Sequence, residues 1–150
     1  MKVVIQRAAN ANVIIDNIVH AEIDQGLVVL LGIENEDTME DVMWLVAKIV
    51  SLRIFSDTDD KMNMSVIDIK GCILVISQFT LYASTKKGNR PSFIRAARPE
   101  KAIPLYESFI DTMKIQSNLN VKSGIFGADM KVSLVNDGPV TIIIDSKNKE

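Results

Sequence analysis

The chain has 150 residues, 47% of them apolar, and a net charge of −2, which suits one domain over residues 1–150 with a substantial core. No apolar run approaches the ~20 residues of a membrane span, and the opening MKVVIQRA has none of a signal peptide's layout, so a cytoplasmic location is expected. With one histidine and one cysteine, the chain lacks the ligands of a common structural zinc site and the partner for a disulfide; neither a metal nor a cofactor is expected.

Residues 2–9 alternate weakly and are rich in Val and Ile, which predicts a strand. Residues 13–15 and 18–23 flank Asp16-Asn17, a two-residue hairpin signal. His20 falls in the second of these stretches and reads as an ordinary surface or edge histidine; nothing local supports a Ser–His–Asp triad through it. Residues 26–33 form a continuous apolar run, which suits a fully buried strand. A helix follows, with Asp37 or Thr38 as its cap and Glu40 and Asp41 three residues further on, as in a capping box. Met39, Val42, Met43, Val46, Ile49 and Val50 then recur on one face as a core stripe. Residues 53–57 predict a short strand, 57–61 a polar turn, and 72–81 the strongest strand, with Cys72 in the core.

Residues 84–101 carry Lys86, Lys87, Arg90, Arg95, Arg98 and Lys101, opposed only by Glu100, a local surplus of about +5. Such an island is either a solvated loop or a patch that contacts the phosphates of a polyanion. Within it, 85–99 reads as a long loop punctuated by Gly88, Pro91 and Pro99, and loops of that length are usually functional or mobile. A second helix is predicted over 100–114, with Leu105, Tyr106, Phe109, Ile110 and Met113 inward and Pro104 either kinking it or marking its first turn. Residues 121–123, 131–135 and 140–145 close the chain as strands, and the polar tail 146–150 is expected to fray. Two helices and about eight strands make a layered α/β domain.

Two segments stand out. In Ser77-Gln78-Phe79-Thr80-Leu81-Tyr82-Ala83, polar groups interrupt a buried strand, as they would where a strand end meets solvent. Asn136-Asp137-Gly138-Pro139-Val140-Thr141 reads on its own as a turn between strands; Asp-Gly favours a hairpin, yet the following Pro cannot donate to a ladder. Taken together, and in order with MKVVIQRA, LRIF, KMN-S, KGNRPSF and FGADMKVSLVNDGPVT, they closely resemble the paired signatures of the D-aminoacyl-tRNA deacylase family, from Met1 to about Asp145.

The resemblance implies a three-layer α/β/β fold with mostly antiparallel sheets, and a homodimer with its active sites at the subunit interface. It implies a cis Gly138-Pro139 bond, which proline permits far more readily than other residues, reaching into the partner subunit's pocket to grip the substrate amino group and exclude an L side chain. It places Ser77, Gln78, Phe79 and Thr80 at the pocket floor, with the Phe79 amide as an oxyanion donor. Arg7, Ala128, Met130 and Asn136 fall where the family holds the pocket or Gly138-Pro139 in place, though Arg7 also reads as a surface strand residue. The partner is the acceptor end of aminoacylated tRNA, with Lys86, Lys87 and Arg90 on its phosphates. The reaction is hydrolysis of D-aminoacyl-tRNA, and of glycyl-tRNA mischarged on tRNA-Ala. The ester is already activated, so oriented donors and a positioned water suffice. Thr80 as nucleophile and assistance from the tRNA 2′-hydroxyl both stay open, the second being preferred because no base adjoins Thr80 in the sequence. The competing readings are a non-catalytic RNA-binding dimer and a small-molecule esterase that uses Thr80.

Overall fold

The computed structural model describes residues 1–149. Eight strands, two α-helices and one 3-10 turn follow in the order β1 (Lys2–Ile15), β2 (Ile18–Ile23), β3 (Gly26–Gly32), α1 (Met39–Val50), β4 (Phe55–Ser56), β5 (Met62–Met64), β6 (Cys72–Ser77), the turn Phe79–Tyr82, α2 (Pro99–Ser117), β7 (Val121–Ser123) and β8 (Lys131–Asp145). The main sheet runs β2-β1-β3-β6-β7, with β8 on the other side of β1. β3–β6 and β6–β7 are parallel and every other pairing is antiparallel.

Two cores sandwich β3, and they explain its unbroken apolar run. Leu27, Val29 and Leu31 face the helices and pack with Val42, Leu45, Phe109 and Met113. Val28 faces the other way and packs with Ala8, Ala11, Val13, Ile23, Leu74 and Ile76. Helices, sheet and the folded-over ends of β1, β2 and β8 therefore form the three expected layers. The first half of β1 pairs with β3 and its second half with β2. A register slip against β8 between Ala8 and Asn10 marks the bend between the halves. Asp16 and Asn17 both take positive φ, 51° and 62°, as a two-residue hairpin with native strand twist requires. His20 lies exposed on β2, an edge strand.

Some elements depart from expectation. In α1 the buried stripe is Val42, Leu45, Val46, Ile49 and Val50; Met39, in the first turn, and Met43, at the margin of the stripe, are 46% and 48% exposed. The long apolar stretch 72–81 is a strand only as far as Ser77. There Gln78 donates its N–H to the Leu31 carbonyl, and the chain folds down over Gly32, where a Cβ would lie 3.0 Å from that of Leu81. Cys72, at the head of β6, is half-buried rather than core. Helix α2 starts on Pro99, so Pro104 sits inside it, and it runs three residues past Lys114 to Ser117. Residues 131–145 are one strand, not two.

The tail is pinned where fraying was expected, with Glu150 outside the described residues. Ser146 is 4% exposed; its hydroxyl accepts from the Met1 ammonium at 2.7 Å and donates to Asp41 at 2.6 Å. Lys147 Nζ reaches Asp41 at 2.8 Å, and the Met1 ammonium pairs with buried Asp37. Asp41 also caps α1: its Oδ2 accepts the Thr38 N–H at 2.9 Å, while Thr38 Oγ1 accepts from Glu40. Burial opposes the charge on Asp41, but hydrogen bonds from Lys147, Ser146 and Thr38 outweigh it and hold the carboxyl well below the usual range. A carboxyl lowered by folding adds stability above its ordinary pKa and loses it as pH falls towards the folded value. Asp37, pushed up by burial, has the opposite dependence. Asp41→Asn is therefore expected to cost about 2 kcal/mol at pH 7, with the gap to wild type closing below about pH 4. Urea melts of both proteins between pH 3 and 7 check this.

Candidate active site

A cavity of about 250 Å³ opens where β3 and β6 end. Leu31, Ile76 and Ser77 line it from the sheet, Ile33 from just past β3, Gln78 and Phe79 from the start of the 3-10 turn, and Phe126, Gly127, Ala128, Met130 and Val132 from the segment entering β8. The fold thus brings Ser77, Gln78, Phe79, Ala128 and Met130 together across some fifty residues of sequence. Phe79 stays 55% exposed and stacks edge-on to Phe93 at 5.0 Å. The Phe79 and Thr80 amides are the first of the turn, so they have no carbonyl within it to donate to. Thr80 is exposed and does not line the cavity. Its Oγ1 accepts a 2.5 Å hydrogen bond from the Gln78 side-chain amide, a group with no basicity to activate a hydroxyl.

Sequence reasoning missed the residues that hold the far wall. Tyr106 Oη donates to the Val75 carbonyl at 3.1 Å and lies 3.4 Å from that of Gly124. Burial pushes this phenol up to about 12, so it stays a donor. Met130 folds against Gly124 so closely that a Cβ there would meet its sulfur at 2.3 Å. Tyr106 read only as an inward helix residue, and Gly124 carried no signal, because their partners lie on other elements.

Asn136 to Thr141 form a bulge in β8. Gln6 pairs with Thr141 and Ala8 with Asn136, so residues 137–140 are spread opposite Arg7 alone. Gly138-Pro139 is cis, and Gly138 takes φ +136°. Arg7 is 8% exposed, not a surface strand residue. Its Nε donates to the Asp137 carbonyl at 2.8 Å and its Nη1 to the Ile54 carbonyl at 2.6 Å. Asn136 Oδ1 accepts the Val140 N–H at 2.9 Å, and its amide donates to Thr141 Oγ1 at 3.1 Å. Both residues therefore clamp the bulge, while Gly138 and Pro139 themselves stand exposed. They lie outside their own chain's cavity. Arg7 pairs with Leu27, whereas the cavity-lining Leu31 pairs with Val3, four residues or about 13 Å further along the strand.

The basic segment is a loop closed by reciprocal hydrogen bonds between Ser84 and Ser92 at 2.8 and 2.9 Å. Lys86, Lys87 and Arg90 are exposed on it. Arg95 and Lys101 are engaged instead, Arg95 with Glu34 at 2.9 Å and Lys101 with the Asn35 carbonyl. Among the described residues no His, Cys, Asp and Glu side chains gather as metal ligands, and no helix is long and apolar enough to cross a membrane.

Comparison with known proteins finds relatives along almost the whole chain. The model of the D-Tyr-tRNA(Tyr) deacylase family matches residues 4–145. The chain is 61% identical over 150 residues to the D-aminoacyl-tRNA deacylase of Flavobacterium psychrophilum and 64% identical to that of Cytophaga hutchinsonii, covering 100% of both chains in each case. A solved structure titled c-Myc DNA Unwinding Element Binding Protein superposes with TM-score 0.92 at 41% identity, over 97% of this chain and 98% of that one. A probable eukaryotic D-amino acid tRNA deacylase shares the fold, with TM-score 0.82 at 16% identity over 95% and 97% of the two chains. Matched along almost its whole length, the chain belongs to the D-Tyr-tRNA(Tyr) deacylase family.

Proposed function

We propose that this protein hydrolyses the ester of D-aminoacyl-tRNA, and of glycyl-tRNA mischarged on tRNA-Ala, releasing free tRNA and the amino acid in the cytoplasm. The observation that carries the reading is a separation. One chain holds both a cavity edged by Phe79 at the head of the turn and a clamped Gly138-Pro139 bulge, yet the bulge stands exposed outside that cavity. A homodimer resolves this, with the bulge of each subunit entering the cavity of the other. The free outer edge of β8 beside the bulge, where Val135 is 53% exposed, suits burial against a second copy.

In such a site the Gly138 and Pro139 carbonyls accept hydrogen bonds from the substrate ammonium group. A D side chain or hydrogen then points to open space, and an L side chain meets the main chain. The Phe79 amide donates to the oxygen that gains charge as the ester carbonyl is attacked. The attacking water is oriented by the neighbouring 2′-hydroxyl of the tRNA, because among the described residues no base is hydrogen-bonded to Thr80. The test is hydrolysis of D-tyrosyl-, L-tyrosyl- and glycyl-tRNA by the purified protein.

Lys86, Lys87 and Arg90 stand exposed on the loop whose Phe93 stacks on Phe79, and they are assigned to the acceptor-end phosphates. Reversing all three charges is expected to weaken tRNA binding and flatten its salt dependence by a slope of about three, with little loss of stability since the side chains are exposed. Titration with uncharged tRNA across a salt series, beside a thermal melt, measures both. An unchanged slope would return the loop to ordinary solvated surface.

A further inference from the structure

Between α1 and the C-terminal end of β8 runs a groove of about 730 Å³ that the mechanism above does not use. Lys2, Lys48 and Lys149 face it together with Trp44, Ile143 and Asp145. Three cations thus meet one carboxylate, in a chain whose total charge is −2. That carboxylate is already engaged, with Lys2 Nζ 3.5 Å from Asp145. Lys48 and Lys149 are not left to wander in solvent: their ammonium groups sit 5.7 and 4.7 Å from the centre of the Trp44 ring, held there by the negative face of the indole.

Lys2 also links this groove to the basic loop. Its Nζ lies 5.2 Å from the Tyr82 ring, and Arg95 of the basic segment lies 5.4 Å from the same ring. Tyr82 closes the 3-10 turn that begins at the cavity. A row of cations therefore runs from Arg95, which is paired with Glu34, past Lys2 to the Trp44 platform. A row of this kind matches a regularly charged polymer better than a peptide or a small anion, which would need a focused pocket.

We propose that this groove holds the phosphate backbone of the substrate's RNA duplex, the acceptor stem lying along Lys2, Lys48 and Lys149 while its 3′ end enters the cavity. The inference rests on the tRNA deacylase reading and deepens it. It divides recognition into two parts: the loop positions the single-stranded end, and the groove measures whether a duplex follows.

The test uses the full chain carrying Lys48→Gln and Lys149→Gln together, with Lys61→Gln and Lys70→Gln as a control of equal charge on a distant exposed surface. Affinity for uncharged full-length tRNA is measured across a salt series. Hydrolysis is measured on D-tyrosyl-tRNA and on a D-tyrosyl ester of the 3′-terminal trinucleotide. The groove variant is expected to bind tRNA roughly tenfold more weakly at 0.1 M salt, with a slope lower by about two, and to lose kcat/KM on D-tyrosyl-tRNA but not on the trinucleotide ester. The control is expected to match wild type. Binding that is unchanged, or weakened equally by the control, overturns the proposal and leaves the groove to a protein partner. Equal losses on both esters overturn it too. If wild type cleaves neither ester, the deacylase reading falls, and the binding series decides the groove by the same criteria.

Discussion

Gly138→Ala is expected to lower kcat/KM for D-tyrosyl-tRNA by about a hundredfold or more, because a displacement near 1 Å at the reacting centre costs that much. A Cβ at this position would lie 2.8 Å from Val140 Cγ2 and 2.9 Å from Arg7 Nη2. The φ of +136° also lies where L side chains are strained. Val140 is buried, and Arg7 is committed to the Asp137 and Ile54 carbonyls, so the exposed bulge must be the part that moves. The strain is local, about 1–3 kcal/mol, and residue 138 belongs to neither core, meeting only Val140 at the edge of one. Folding therefore survives while the presented carbonyls shift. If those carbonyls serve the partner's cavity, mixing Gly138→Ala with a cavity-filling Ala128→Trp chain restores one working site per heterodimer. A folded Gly138→Ala protein with wild-type activity would show that the bulge plays no part in the reaction.

The second large effect separates the two mechanisms. Thr80→Ala is expected to keep activity within about a hundredfold of wild type, whereas loss of a true hydrolase nucleophile costs on the order of a millionfold. The reason is geometric: Thr80 lies off the cavity, and its oxygen receives a hydrogen bond from Gln78 Nε2 rather than giving its proton to a base. A D-aminoacyl-tRNA lacking the neighbouring 2′-hydroxyl should instead be cleaved poorly. Single-turnover rates for both combinations decide the matter. An inactive Thr80→Ala protein that coexists with normal cleavage of the deoxy substrate assigns attack to the side chain, and the Gln78 contact would then need to break on substrate binding.

Local physics made much of the fold legible. Asp16-Asn17 announced its hairpin through residues that tolerate positive φ, and Thr38 with Asp41 announced the start of α1. The double-sided burial of β3 was written in its unbroken apolar run. What stayed hidden depends on partners far along the chain. The apolar pattern of 72–81 runs past the strand's end because Phe79, Leu81 and Tyr82 continue it, while the turn is set by Gly32 on another strand. Residues 131–145 read as two strands because Pro139 breaks the ladder, but Arg7, 130 positions away, holds both halves on one line. The tail read as solvated because Met1 and Asp41, its anchors, sit at the other end of the sequence.

The candidate site shows the same division. The resemblance named both Ser77–Thr80 and Gly138-Pro139, and the structure gathers Ser77, Gln78, Phe79, Ala128 and Met130 into one cavity. The resemblance sent the Gly138-Pro139 bulge to a partner's pocket, and strand register supplies the reason on this chain: the bulge lies too far along β1 to reach its own cavity. Thr80 was grouped with its neighbours in sequence, and a single step of the 3-10 turn carries it off the cavity wall.

The most direct measurement is the rate of amino-acid release from D-tyrosyl-tRNA and L-tyrosyl-tRNA under identical conditions with the purified protein. A main-chain filter predicts cleavage of the D ester at least about a thousandfold faster, equivalent to roughly 4 kcal/mol between the two transition states. Comparable rates for the two enantiomers, or release from neither, would contradict the account.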